Sequence, residues 1–262
     1  MYAFDLKRPG TIDEAVKALG AEEAQALGGG QTLIPSLKQR LAAPSVLVSL
    51  SGIAEMQGVC TDDDGRICIG GGTTHAGVVE GAAAYPALSS LAARIGDPAV
   101  RNRGTIGGSL ANNDPSACYP AAVLASGATV VTNAREIGAD DFFEGMFATA
   151  LEEGEIITEV RFPVPEAAAY EKFEQPASRF PLVGVFVARH ANGVRVAVTG
   201  ASEEGVFRWT DAEEALATNF SADALSGMSP AADTMISDLH GQAAYRAHLV
   251  GVMTRRGVTA AG

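Results

Sequence analysis

Two short segments of this chain concentrate the residue types that hold a phosphate. One is Leu27-Gly28-Gly29-Gly30-Gln31-Thr32-Leu33-Ile34-Pro35. The other is Arg101-Asn102-Arg103-Gly104-Thr105-Ile106-Gly107-Gly108-Ser109-Leu110-Ala111-Asn112-Asn113-Asp114-Pro115. Glycine lets the backbone approach an anion closely and aim several N–H groups at it, and the flanking hydroxyls and amides add side-chain donors. Both segments are too rich in glycine to suggest a regular element, so both are expected as loops. Paired loops of this kind suit a ligand with a pyrophosphate, and a dinucleotide is the natural candidate. The nicotinamide fingerprint Gly-x-Gly-x-x-Gly is missing, because Gly28-x-Gly30 runs on to Leu33 and Gly70-x-Gly72 to His75, which argues against a Rossmann site. A glycine-rich turn with no ligand is the competing reading of these residues alone.

Other chemistries find little support. No serine or cysteine comes with a matching histidine and acid, so hydrolysis has no basis and no catalytic residue is assigned. Three cysteines, Cys60, Cys68 and Cys118, show no C-x-x-C spacing, and their odd number argues against a disulfide framework. A reducing, cytoplasmic compartment is expected, with neither an iron-sulfur centre nor a bound metal in this chain. A net charge of −12 repels nucleic acid and anionic membranes, so neither is an expected partner. No apolar run approaches the ~20 residues of a membrane span, and Met1-Tyr2-Ala3-Phe4-Asp5 does not resemble a targeting segment.

The elements that must position the two segments follow from caps and periodicity. Thr11-Ile12-Asp13-Glu14 reads as a capping box opening a helix through Leu19, with Gly20 as its stop. Strands are expected near Ala26 to Gly28 and Val46 to Leu50, with a helix from Pro35 to Leu41 between them, which puts Gly29 to Thr32 at a helix N-terminus. Ile67 to Gly71, Ala128 to Thr132 and Ile156 to Phe162 read as strands, and Pro86 to Ile95 as an amphipathic helix. Pro163 and Pro165 suggest a boundary near residue 166. The expected division is residues 1–166, split into parts of about 1–52 and 53–166, followed by residues 167–262. In the last part Asn192-Gly193 signals a hairpin between Leu182 to Ala188 and Val194 to Thr199. Thr210-Asp211-Ala212-Glu213 reads as a second capping box, and Ala243 to Arg256 as a terminal helix. An antiparallel sheet of three or four strands with helices on one face is the expected outcome.

Four stretches in order, "LGGGQTLIPSLKQRLAAPSVLVSL", "IGGGTTHAGV", "IGDPAVRNRGTIGGSLANNDPSACYPAAVLASGATV" and "FEQPASRFPLVGVFVA", resemble the FAD-binding medium subunit of molybdenum hydroxylases. The likeness is to the aerobic carbon monoxide dehydrogenase type in particular, related to the flavin domain of xanthine dehydrogenase, and runs from Phe4 to about Ser202. The resemblance implies an α+β fold: a p-cresol methylhydroxylase-type FAD-binding domain of two α/β subdomains, then a small antiparallel-sheet plus helix domain. It implies noncovalent FAD, with Gly29, Gly30, Gln31 and Thr32 on the pyrophosphate and Leu33 and Ile34 packed beside it. Thr105, Gly107, Gly108 and Ser109 match donors to the phosphates and ribityl chain, and Thr74 and His75 lie near the cofactor. Leu27, Gly28, Ile95, Ile106 and Leu151 complete the implied contacts, while Arg101 and Arg103 are open to either a phosphate or interface role or plain surface charge.

Two positions depart from the family pattern. Cys118 stands where many relatives carry an aspartate near the ribityl chain, and Glu174 where several carry a lysine or arginine near the flavin pyrimidine edge. The resemblance further implies an iron-sulfur small subunit and a molybdenum-binding large subunit as partners, in a dimer of heterotrimers. The role it implies is electron transfer from the iron-sulfur subunit to an external acceptor. The alternatives are a flavin-free assembly module and a self-contained flavin oxidase.

Overall fold

The computed structural model describes residues 1–262. The chain opens with β1 (Asp5–Lys7), α1 (Ile12–Leu19), β2 (Ala24–Leu27), α2 (Leu33–Lys38) and β3 (Val46–Ser49). The strands form a parallel sheet in the order β1-β3-β2. The Thr11 hydroxyl accepts from Glu14 N at 3.2 Å, as its capping role requires, while Glu14 Oε2 accepts from Gly10 N, one residue earlier than a capping box predicts. Ala15 and Leu19 of α1 pack with Val48, Leu50, Ile53 and Met56 in a small core. The helix expected from Pro35 begins two residues sooner and stops at Lys38, because Arg40 takes φ +61 and turns the chain.

Next come β4 (Val59–Thr61), β5 (Ile67–Gly70), α3 (His75–Gly81), α4 (Pro86–Ala93), α5 (Pro98–Arg101), α6 (Ile106–Asn112) and α7 (Tyr119–Ser126). They are followed by β6 (Thr129–Thr132), β7 (Glu136–Gly138), α8 (Ala139–Phe142), β8 (Phe143–Gly145), β9 (Ala148–Thr149) and β10 (Ile157–Phe162). An antiparallel sheet runs β4-β5-β10-β6-β7. The expectation of an irregular loop through Gly107 and Gly108 is corrected here, since both lie in the first turn of α6. The Thr105 side chain caps that helix by accepting from Gly108 N at 3.1 Å, and Ile106 and Leu110 are fully buried beneath it. Burial and cap offset a helix penalty of about 1 kcal/mol per glycine. Gly107 is required by packing, because a Cβ there would sit 2.5 Å from Gly71 O.

The remainder is an antiparallel sheet β11 (Ala167–Glu174), β12 (Pro181–His190), β13 (Gly193–Ser202) and β14 (Gly205–Arg208), then α9 (Thr210–Thr218) and α10 (Ala243–Ala261). The hairpin closes at His190 opposite Gly193, so its loop is Ala191-Asn192, one residue off the expected Asn-Gly pair. The expected capping box at Thr210 does not form. Trp209 takes the cap position, and Glu213 instead accepts from Val196 N at 2.9 Å and from Arg208 Nε at 2.9 Å.

Helices cover both faces of this sheet rather than one. Val183, Val185 and Val187 face a core with α9 and α10, while Phe186, Ala188 and Ala197 join the largest core, which also holds Leu88, Leu91 and nearly all of α7. That explains the unbroken apolar run of β12, buried on both sides. The largest core therefore continues past residue 166.

Candidate functional site

The two glycine segments, far apart in sequence, meet face to face. A Cβ on Gly29 would overlap the backbone of Arg103 and Gly104, and one on Gly28 would lie 2.9 Å from Thr105 Oγ1. Gly30 takes φ +74, and Ile34 from the first turn of α2 closes over it. The N–H groups of residues 29–32 donate to no acceptor in the protein, and the Gln31 and Thr32 side chains are exposed beside them. Thr32 occupies the cap position of α2 without making a side-chain cap bond, so its hydroxyl is free. Free donors beside a close backbone approach that any side chain would block fit a pyrophosphate.

The second segment is tied into the protein by its backbone. Gly107 N donates to Gly71 O at 2.9 Å, Gly108 N to Thr105 Oγ1, and Ser109 N to Thr105 O at 3.0 Å. Those N–H groups have partners inside the protein. The glycines serve close approach, and the hydroxyls of Thr105 and Ser109 are what this loop can offer.

A third strip completes the site. Thr74 bridges Thr105 as an isolated antiparallel pair, His75 N donates to Gly104 O at 2.9 Å, and Ile106 N to Thr73 O at 3.1 Å. Thr74 caps α3 through Gly77 N, and buried Thr73, which sequence reasoning missed, ties the strip to Gly58. Gly104 was missed as a functional position too: a Cβ there would lie 2.5 Å from His75 Nε2. His75 is 5% exposed, lies tilted against Tyr119 with 5.4 Å between ring centroids, and leaves Nδ1 unpartnered. Burial, aided by the Arg101 charge, lowers its pKa to about 4, so the ring is neutral near pH 7. Arg101 holds Ile95 O and Gly96 O at 3.1 Å each, while Arg103 stays exposed and makes no ion pair.

Two further candidates, Cys118 and Glu174, lie at the seam between α4 and β11. Arg94 donates from Nη1 to Tyr170 O, from Nη2 to Lys172 O, and from Nε to Glu174 Oε1 at 3.1 Å. Lys172, its side chain wholly buried, donates in return to Arg94 O at 2.5 Å and Arg179 O at 2.7 Å. Glu174 is thus ion-paired with Arg94. Cys118 is buried beside Tyr170 and Lys172 in the main core, and burial pushes its thiol pKa up, so it stays protonated. Leu151 packs on the same core beyond β9. Neither Arg94 nor Lys172 stands out in sequence, since only the fold brings residues 94 and 172 together.

No group of His, Cys, Asp and Glu side chains is placed to hold a metal, and no helix is long and apolar enough to cross a membrane. An α+β chain whose glycine segments meet around unpaired N–H donors has the build of a dinucleotide-binding protein. It belongs to the family described as the FAD binding domain in molybdopterin dehydrogenase, whose model matches residues 2–165. The chain is 31% identical to the carbon monoxide dehydrogenase medium chain of Hydrogenophaga pseudoflava, over 98% of this chain and 96% of the relative. It is 35% identical to the nicotine 6-hydroxylase medium subunit of Paenarthrobacter nicotinovorans, over 97% and 95%. Among solved structures, a chain of reconstituted CO dehydrogenase from Oligotropha carboxidovorans superposes with a TM-score of 0.87 at 31% identity, covering 99% of this chain and 98% of that one.

Proposed function

We propose that this chain is the FAD-binding electron-transfer subunit of a molybdenum-containing hydroxylase of the carbon monoxide dehydrogenase type. It takes electrons from an iron-sulfur small subunit, while a molybdenum-binding large subunit oxidises the substrate. When bound, FAD supplies the redox chemistry. Residues 29–32 hold the pyrophosphate through backbone N–H groups, the Thr32, Thr105 and Ser109 hydroxyls orient it, and the His75 strip braces the Thr105 segment from behind. The single observation that carries this reading is the unpaired N–H run at residues 29–32, set in a chain similar along its whole length to carbon monoxide dehydrogenase medium chains. Comparable identity to a nicotine hydroxylase subunit supports a substrate choice made outside this chain.

FAD is noncovalent in this reading, because the two candidate attachment residues, His75 and Cys118, are both buried. The assembly is a dimer of heterotrimers in the cytoplasm, a compartment supported by three free cysteines. The division near residue 166 is supported by the family match ending at residue 165 and by β11 starting at Ala167. The test is a tagged chain purified from its native cell. Expected are flavin absorbance released by acid precipitation, and iron and molybdenum in two co-purifying chains. A colourless protein that stays colourless with added FAD indicates the assembly module. Flavin reduction by substrate in the isolated chain indicates a self-contained oxidase.

A further inference from the structure

Cys60 and Cys68 face each other across the hairpin of β4 and β5, as Cα partners in its register. Two residues to either side, Asp62 N donates to Arg66 O at 3.1 Å and Gly70 N to Gly58 O at 3.0 Å, which makes theirs a hydrogen-bonded pair. In such a pair the Cα atoms stand about 5.5 Å apart, inside the roughly 4.4–6.8 Å that a disulfide spans. Directly opposite residues also project from one face of a sheet. Val59, Ile67 and Ile69 pack on the core side, so both thiols stand on the outer side, with Arg161 as the β10 partner of Cys68.

The two sulfurs differ in what reaches them. Cys60 is exposed on an edge strand, whereas Cys68 is 4% exposed and its S–H donates to Asp62 Oδ2 at 3.6 Å. Burial first, then the charges of Glu159 and Asp62, push the Cys68 thiol up to about 12, so it stays protonated and inert on its own. A dissolved oxidant therefore meets Cys60 first. Cys118, the third cysteine, is buried in the main core on the other side of this sheet.

We propose that Cys60 and Cys68 are a dithiol that closes reversibly to a cross-strand disulfide when hydrogen peroxide reaches the protein. The Cys60 thiolate attacks one peroxide oxygen; an S–O bond forms, the O–O bond breaks, and the departing hydroxide takes a proton and leaves as water. The Cys68 sulfur then attacks the Cys60 sulfur. An S–S bond forms, the S–O bond breaks, and the hydroxide leaves with the Cys68 proton as a second water. Both sulfurs are oxidised and both peroxide oxygens reduced.

Opposed Cβ atoms stand about 4.5–5.5 Å apart, against about 3.8 Å in a disulfide, so closure draws the strands together by about 1 Å. A bond made under that demand is readily reduced again, which suits the transient, redox-sensing links of a reducing compartment. Its place gives it a consequence. Gly58, just ahead of β4, and Thr73, just beyond β5, are tied by Gly58 N to Thr73 Oγ1 at 2.9 Å and Thr73 Oγ1 to Gly58 O at 3.0 Å. The disulfide pins the two strands that carry this tie, and with it the strip that leads to His75.

The test treats the reduced full-length protein with hydrogen peroxide, blocks the remaining thiols and digests it with trypsin without reductant. Cleavage after Arg40, Arg66 and Arg94 leaves Cys60 in residues 41–66 and Cys68 in residues 67–94. Expected are these two peptides joined, two of the three thiols lost, a mass lower by two hydrogens, and all thiols restored by dithiothreitol. Cys60→Ser should keep its remaining thiols and react with peroxide at least tenfold more slowly, while Cys68→Ser should gain oxygen at Cys60 and form no link. The exposed Cys60 tolerates serine, so that arm stands even where the buried Cys68→Ser fails to fold. Three thiols persisting under peroxide overturn the proposal. So does oxygen added at Cys60 of the wild type with Cys68 left free, or a link through Cys60 between two chains.

Discussion

His75 shows how one buried side chain can report on the site. Its pKa is lowered to about 4 by burial first and by the Arg101 charge second, against 6.5 for the free ring. The unfolded chain therefore takes up the proton first as pH falls, so stability is intact above pH 6.5 and is lost as the pH drops from 6.5 towards 4. The loss attributable to this residue approaches about 3 kcal/mol at 1.36 kcal/mol per unit. Denaturant titrations of the wild type and His75→Gln across that window check it: the variant should show a smaller drop, and parallel curves would mean that His75 is not buried neutral. Gly29 makes a second prediction at this scale. Its Cβ position falls on the Arg103 backbone, so Gly29→Val forces the two glycine segments apart. Flavin absorbance per protein should fall at least tenfold, with a stability cost of about 1–3 kcal/mol for overpacking. Full flavin occupancy in that variant would place the pyrophosphate elsewhere.

Elements were legible in the sequence where local physics decided them, and illegible where packing did. The Thr11 cap, the Pro86 helix and the strands around Ile67 and Val160 follow from caps and periodicity. Helix α6 was missed because glycine content argues against a helix, while Thr105 and a buried Ile106 to Leu110 face overrode it. The Thr210 capping box was misread because Glu213 finds the Val196 backbone and Arg208, partners invisible in sequence. The glycine segments themselves were readable, but not that Gly107 and Gly108 are there to let backbones touch. The reciprocal tie between α4 and β11 was unreadable, since Arg94 and Lys172 look like ordinary surface cations.

That tie predicts coupling between the two elements. Lys172→Met strands two carbonyls, of Arg94 and Arg179, and Arg94→Ala frees those of Tyr170 and Lys172. Each should cost about 1 kcal/mol for part-buried carbonyls that lose a charged donor. Because the two side chains bond each other's backbone, the double variant should lose less than the sum, by about 0.5 kcal/mol or more. Strict additivity in chemical denaturation would show that the two ends act independently.

At the scale of the whole molecule, the pyrophosphate site joins parts with very different cores. Its free N–H groups follow β2 of the three-stranded sheet, whose core holds only 7 buried residues, while Thr105 and Ser109 sit on α6 above a core of 30. The C-terminal sheet has its own core of 18 and gives no residue to the cradle. A ligand that binds only the folded chain stabilises it by RT ln(1 + [L]/Kd), about 2.7 kcal/mol at a hundredfold excess over Kd. The benefit should be uneven in space, because the part with the fewest buried contacts opens most readily without its ligand. Hydrogen exchange of apo and FAD-loaded protein should therefore show the strongest added protection in residues 24–50. Weaker protection should follow in residues 73–78 and 104–110, and almost none in residues 182–200. Equal protection throughout would mean that the chain opens as one unit, and protection centred on β12 and β13 would move the flavin site to the C-terminal sheet.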